Sequence, residues 1–501
     1  MFCLCLNVFT KSGGTIALLP NVVMVFMMFF SSCDNTRKFN DGVGMTIGKK
    51  IEQLRTGDLV LHCVQVEVFQ KMDDGLKMSG HGTIKVNNVG TIYMEFICIA
   101  SENVPRTLFS DSLPKDPLND DHKLYLRAQT IDGDVYESDG FSIKINMNSS
   151  RPPVHHYIFL SSINSCSTVE TYDSAETNYL YFEFAEHFNI PANKCNSMVS
   201  SLGDESYSWN QTVLEMGDYS ISMIKHLGYT EVSVKGCFEH EELLPCLKFY
   251  IGFSSASMPQ FVYILKRTGE HKQEIISSIA NNQKRQRSSS PMVVNVADEN
   301  YRDSAYHYNF LRNIITLYKK NPKQFECVYS QWERVWYSFQ SRNSIMILTL
   351  SVAIEGLLND IYIPVIKLKK DNSEFETEIK KVKQLIKTLD LTDDQRNRVL
   401  GSVSYWKNIT AAKALDYLIE QGVITTSDKK LWQELRNESA HPKVREDNLT
   451  KERLEREKVS SCLNLFHKLV LNTLAFSGPV GVLQAGKEST YSELIHTEIL
   501  N

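Results

Sequence analysis

The segment LRNESAHPK, Leu435 to Lys443, sets Arg436, Asn437 and His441 within six residues, directly before Pro442. An imidazole with a reference pKa of about 6.5 takes up or releases a proton near neutrality. A guanidinium keeps its charge there, and its forked donors fit phosphoryl oxygens as negative charge builds on them. The pair therefore has the parts for acid–base chemistry at a phosphate ester, with Asn437 placed to orient the phosphate or the imidazole. The spacing imposes a condition. Five residues along a continuous helix turn the side chain by about 140°, so Arg436 and His441 cannot face one substrate from an unbroken helix. Pro442 relieves part of this, because it disfavours helical geometry at His441 and lets the helix fray there.

As a bare pattern, Arg followed five residues later by His is weak, and two further matches occur: Arg151 to His156 in RPPVHH and Arg302 to His307 in RDSAYH. Context separates the three. Arg151 precedes a Pro-Pro pair, which no helix can present. Arg302 lies in a polar lead-in before the first C-terminal helix. Only Arg436 follows a helix, a short polar connection and the amphipathic turn WQEL, with Trp432 and Leu435 on its apolar side.

The elements that must position these residues have helical period. SIMILTLSVAIEGLLNDIY (Ser344 to Tyr362) is apolar nearly all round, which predicts a buried central helix carrying Glu355 in apolar surroundings. Two roles are open for that carboxylate: holding the arginine, or pairing with another cation inside the bundle. EFETEIKKVKQLIKTL (Glu374 to Leu389) is amphipathic, ITAAKALDYLIEQG (Ile409 to Gly422) ends on glycine, and a helix runs from about Lys429 into the motif. The final helix, Lys451 to Pro479, stops at Gly478-Pro479, and its His467 is expected to pack at the edge of the core. Residues 301–501 thus read as a helical bundle.

Residues 45–280 have period two instead. DLVLHCVQVEVFQ, GTIYMEFICIA, NYLYFEFAE, TEVSVKGCF, CLKFYIGF and FVYILKR read as strands, with hairpin turns at NNVG (Asn87 to Gly90) and IDGD (Ile131 to Asp134). The expectation is α+β and multidomain: a β-rich N-terminal domain, sandwich-like or strongly curved, then an all-α bundle. Residues 281–300, with the basic KRQR cluster, Ser and Pro, read as a linker. Residues 1–44 are a signal-like or mis-assigned extension. The apolar run Thr15 to Phe30 before SSCDN resembles a lipoprotein signal with Cys33 as the acylated residue, but Lys11 is its only basic lead and Pro20 interrupts it. Translation from near Met45 is the expected alternative.

The composition is that of an ordinary globular protein, 42% hydrophobic and 23% charged over 501 residues, too long for one core. A net charge of −5 argues against a uniformly basic coat, while leaving a local basic groove open. The 11 cysteines include no CxxC pair and suit a reducing compartment. Cys237, His240 and Cys246 in CFEHEELLPC are the best metal candidates, with irregular spacing and no evident fourth ligand. The chain contains no P-loop, GxSxG or HExxH.

A C-terminal helical bundle with R-N-x-x-x-H on its penultimate helix resembles the HEPN superfamily, whose nuclease members carry such an arginine and histidine; SVAIEGLL looks like its first core helix. The β-rich N-terminal half before a single such bundle resembles the anti-phage ApeA type. The resemblance implies a metal-independent endoribonuclease in abortive infection, with no cofactor, acting on host RNA such as tRNA. Arg436, Asn437 and His441 would be catalytic, Glu355 supporting. It implies a homodimer that brings two motifs into one cleft, an N-terminal domain sensing a phage-derived trigger, a cytoplasmic location and no stable membrane association. Two alternatives stand beside it: a HEPN scaffold that keeps the dimer or a nucleotide without cleavage, and a lipoprotein anchored through Cys33 with a β-sandwich binding domain.

Overall fold

The structure, a computed structural model, describes residues 43–497 except 104–111, 114–115, 117, 142, 145–155, 172–177, 187, 189–191, 200–204, 280–304, 340–342, 370–372, 407, 441–448 and 484–489. Residues 1–42 of the expected N-terminal extension, the linker at 281–300, Arg151, Arg302, His441 and Pro442 lie outside those residues. Residues up to Thr56, of which helix α1 (Val43–Thr56) is described, cluster as one compact unit, and Gly57–Asn501 as another.

The second unit begins with the strands β1 (Val60–Phe69), β2 (Lys77–Val86), β3 (Ile92–Glu102), β4 (Ser112–Leu113), β5 (Tyr125–Thr130), β6 (Val135–Ser138), β7 (Ile143–Lys144), β8 (His156–Ile163) and β9 (Ser165–Thr171). It continues with β10 (Asn178–Phe184), β11 (Lys194–Val199), β12 (Glu205–Glu215), β13 (Tyr219–Lys225), β14 (Thr230–Gly236), helix α2 (His240–Ser255), β15 (Phe261–Thr268) and β16 (His271–Ser277). Fourteen of these strands hydrogen-bond into one antiparallel sheet, in the order β11, β12, β13, β14, β10, β15, β16, β9, β6, β5, β1, β2, β3, β8. The pairing runs unbroken from end to end in one sheet, rather than in two separately bonded layers. Register shifts at Cys63 on β1 and between Ser79 and Gly80 on β2 mark bulges, which bend and twist a sheet. Both expected hairpin turns form. Gly90 and Gly133 carry positive φ, and the Asn87 side chain accepts from the amides of Val89 and Thr91.

Alternation assigns the faces. Val66, Val68, Met94, Phe96, Leu126, Ala128 and Tyr136 are buried while their neighbours point outward. At β10 both faces are covered, so Leu180 to Phe184 are all buried, Glu183 among them. Leu180, Phe182 and Phe184 join a core shared with the helices. Tyr181 and Glu183 face the other way, in register with Leu265 and Tyr263, and Leu265 in turn pairs with Glu274. On that face Lys272 Nζ lies 2.7 Å from Glu274 Oε1 and 3.1 Å from Glu170 Oε2, with Lys272 and Glu274 both buried.

One expectation is overturned. CLKFYIGF is not a strand: it lies inside α2, His240–Ser255, with Glu241 and Glu242 in the first turn and left-handed Ala256 as the stop. The segment is apolar on nearly every side, so neither a period of two nor one of 3.6 stands out. Helix α2 packs the sheet against the C-terminal helices. Its Phe249 meets Trp332 edge-on at 5.3 Å, and a Cβ at Gly252 would fall 2.5 Å from the Trp332 ring, so glycine is what permits the approach.

The helices that follow are α3 (Ala305–Lys320), α4 (Pro322–Ser338), α5 (Asn343–Leu357), a π-helical turn (Leu358–Tyr362) leading directly into α6 (Ile363–Lys369), α7 (Ser373–Thr388), α8 (Asp393–Tyr405), α9 (Ala411–Glu420), α10 (Thr426–Ala440) and α11 (Leu449–Thr473). Asn321 caps α4 through the Gln324 amide with Pro322 at the first helical position, a favourable start. The continuous helix Ser344–Lys369 is long and apolar enough to cross a membrane by length and composition. In this fold its Leu350, Ile354, Leu357, Leu358 and Ile361 are buried in the shared core. Tyr362, in the π turn, donates to the Leu469 carbonyl of α11 at 2.7 Å and is buried with it. Helices α7 and α8 form a hairpin with a small core of their own, Ile379, Ile386 and Val403. A last hairpin, β17 (Gly478–Val482) with β18 (Thr490–Leu494), is not expected from the helical reading of this region.

Candidate functional site

Helix α10 starts with a reciprocal cap: Thr425 Oγ1 accepts from the Asp428 amide at 3.2 Å and Asp428 Oδ2 accepts from the Thr425 amide at 2.9 Å. Lys468 of α11 donates to the same carboxylate at 3.0 Å, fixing the start of α10 against its neighbour. One turn on, Trp432 and Leu435 are buried, and the indole Nε1 of Trp432 donates to the Ser351 carbonyl of α5 at 3.2 Å. Four residues further along both helices, Arg436 meets Glu355. Since 351 pairs with 432 and 355 with 436, α5 and α10 run in the same direction where they touch.

The Arg436 contact is a fork. Nε donates to Glu355 Oε2 at 2.9 Å and Nη2 to Oε1 at 3.1 Å, and the guanidinium carbon lies 5.9 Å from the Trp432 ring centroid. Of the two roles open for Glu355, this is the pairing with the arginine. The side chains are 48% and 30% exposed, so the pair sits at the surface with its base in the core. A bidentate pair fixes the plane of a guanidinium, which a single contact does not. Asn437 is exposed on the next position of α10. Glu438 and Glu434 both reach Lys458 of α11, at 2.5 and 3.3 Å. His441 follows the last residue of α10 in the chain and lies outside the described residues.

The competing histidines are occupied elsewhere. His307 is buried, with Nδ1 2.8 Å from the Tyr250 hydroxyl, and burial lowers its pKa to about 3. It stays neutral in the fold and faces no solvent, so the Arg302 to His307 match offers no imidazole to a substrate. His467 is also buried, edge-on to Phe253 at 5.2 Å, and desolvation lowers its pKa to about 3, in keeping with the expected packing role. For the metal candidates, His240 places one nitrogen 3.0 Å from the Tyr179 carbonyl and the other 3.2 Å from the Thr268 hydroxyl. Cys246 is buried in the shared core and Cys237 is exposed. No group of three metal-ligating side chains forms among the described residues.

One feature near the site escapes a reading of the sequence. On α5, Ile345, Leu348 and Val352 are 52%, 48% and 51% exposed, and Glu355 follows three residues later. The 3-4-3 spacing makes a continuous apolar seam leading to the carboxylate that holds Arg436. Because α5 is apolar all round, its sequence does not distinguish the outward stripe from the inward one. No family model, curated protein or solved structure matches the chain.

Proposed function

We propose that the chain is a HEPN-type endoribonuclease of the ApeA kind, acting as a homodimer in abortive anti-phage defence on host RNA such as tRNA. The observation that carries this reading is the fork from Glu355 to Arg436. It holds a guanidinium in a fixed plane at the surface, five residues before a histidine, on a helix anchored to the core through Trp432. The exposed seam of Ile345, Leu348 and Val352 beside it supports a second copy docking there, which would bring two such sites together.

In this mechanism His441 takes the proton of a ribose 2′-hydroxyl, the oxygen attacks the adjacent phosphorus, and the bond to the 5′ oxygen breaks as that oxygen gains a proton. Arg436 stabilises the charge on the non-bridging oxygens, and Asn437 orients the phosphate. The products are a 2′,3′-cyclic phosphate and a 5′-hydroxyl, and DNA lacks the nucleophile. Purified protein incubated with total RNA in EDTA should yield those ends, and Arg436→Ala and His441→Ala should not. RNA left intact under a confirmed trigger would refute the proposal.

The engagement of Arg436 by a carboxylate also favours a second reading, a scaffold in which the pair only braces α10 against α5. Expression separates the two: wild type should be toxic and His441→Ala harmless if the chain cleaves RNA, and both should grow alike if it is a scaffold.

A further inference from the structure

Helices α7 and α8 stand apart from the packing that holds the rest of the bundle, closing on each other through Ile379, Ile386 and Val403 with Val382, Leu391 and Leu400 beside them. The second half of α7, from Lys380 on, carries four lysines and no carboxylate. Lys380, Lys381 and Lys387 are exposed and Lys383 is half-buried. Lys380, Lys383 and Lys387 recur at i, i+3 and i+7, which sets them on one stripe about 10 Å long on the flank of α7, about a quarter turn from the side of Ile379, Val382 and Ile386. None of the four lysines forms an ion pair among the described residues. The arginines of α8 differ, since Arg396 pairs with Asp393 and Arg398 with Asp394, each at 3.0 Å. Lys367 and Lys369 are exposed at the end of α6.

We propose that the α7–α8 hairpin is an arm that grips the phosphate backbone of a folded RNA through Lys380, Lys383 and Lys387. This rests on the ribonuclease reading for the identity of the polyanion. Lys369 lies fourteen residues beyond Glu355 on the same continuous helix, about 20 Å along its axis. A dinucleotide at Arg436 cannot span from there to the end of α6, whereas a folded RNA of tRNA size has the length to extend past it. Unpaired lysines supply the sequence-independent, salt-sensitive attraction that such a grip needs.

The test uses the full chain with His441→Ala, so that RNA survives, and compares it with the same chain carrying Lys380→Ala, Lys383→Ala and Lys387→Ala. Fluorescence anisotropy with labelled tRNA across a salt series reads affinity and slope. The arm predicts an affinity at least about tenfold weaker for the lysine variant at low salt. It also predicts a log–log slope shallower by about 2 to 3, near 0.7 to 0.9 for each phosphate no longer met by a lysine. Far-ultraviolet circular dichroism should be unchanged, since the lysines are outside the core. Equal affinity and slope in the two proteins would overturn the arm. So would binding of the parent protein to phosphatidylserine vesicles without binding to tRNA, which would assign the lysines to a membrane surface. Cleavage is scored separately: lysine-dependent tRNA binding with no cleavage by the wild type leaves the arm standing and removes the nuclease.

Discussion

Two ion pairs in this chain invite comparison, Lys272–Glu274 in the sheet and Arg436–Glu355 on the helices. The first is enclosed, its members 8% and 2% exposed, with Glu170 sharing the ammonium. The second is anchored in the core but open to solvent, 48% and 30% exposed. Removing one member of the enclosed pair strands a charge where water cannot reach it. Removing one member of the open pair lets water take its place. The difference separates a pair the fold depends on from a pair the fold can spare, and the second kind is where a reacting group can be held without cost to stability.

The comparison breaks most sharply at Lys272. Lys272→Ala should destabilise the protein by about 3–5 kcal/mol in urea unfolding, because the buried Glu274 carboxylate loses its counter-ion; a loss under about 1 kcal/mol would mean that water enters the sheet. Next comes Arg436→Ala, which under the proposed nuclease reading should slow RNA cleavage by about 10²–10³-fold while circular dichroism and melting stay close to wild type. Undiminished cleavage would reduce the fork to a brace.

A smaller effect sharpens the contrast through pH. His307 and His467 have folded pKa values of about 3 against the ordinary 6.5, both lowered by burial, so below about 6.5 the unfolded chain binds protons that the folded one does not. The stability they contribute is present above pH 6.5 and is lost as pH falls toward 3, at up to about 1.4 kcal/mol per pH unit for each histidine. Unfolding midpoints at pH 7 and pH 5 check this, and His467→Leu should flatten the slope. The smallest effect expected is that of Glu355→Gln on stability, within about 1 kcal/mol. Under the proposed nuclease reading its cleavage rate should nevertheless drop, since the fork that orients Arg436 is weakened.

How much of the fold and site is legible in the sequence depends on local chemistry. The hairpins at Gly90 and Gly133 are, because their turns need glycine at positive φ and the sequence supplies it. The helix bearing Arg436 is, because Trp432 and Leu435 mark its inner side and the polar run marks its outer one. Glu355 is legible only as a carboxylate in apolar surroundings, since its partner is 81 positions away along the chain. Helix α2 reads as a strand because burial on every side erases the period that tells helix from strand. The seam on α5 is hidden for the same reason, and the order of fourteen strands follows from long-range pairing that no local pattern encodes.

Helix α2 belongs to the β-rich stretch by position and to the helices by packing, so sheet and bundle have no seam of their own along which to part. A calorimeter should therefore record a single endotherm for residues 57–501 rather than one for each half. The rings of Phe249 and Trp332 meet inside that common core, so a substitution that loosens either one should lower the melting temperature of strands and helices together.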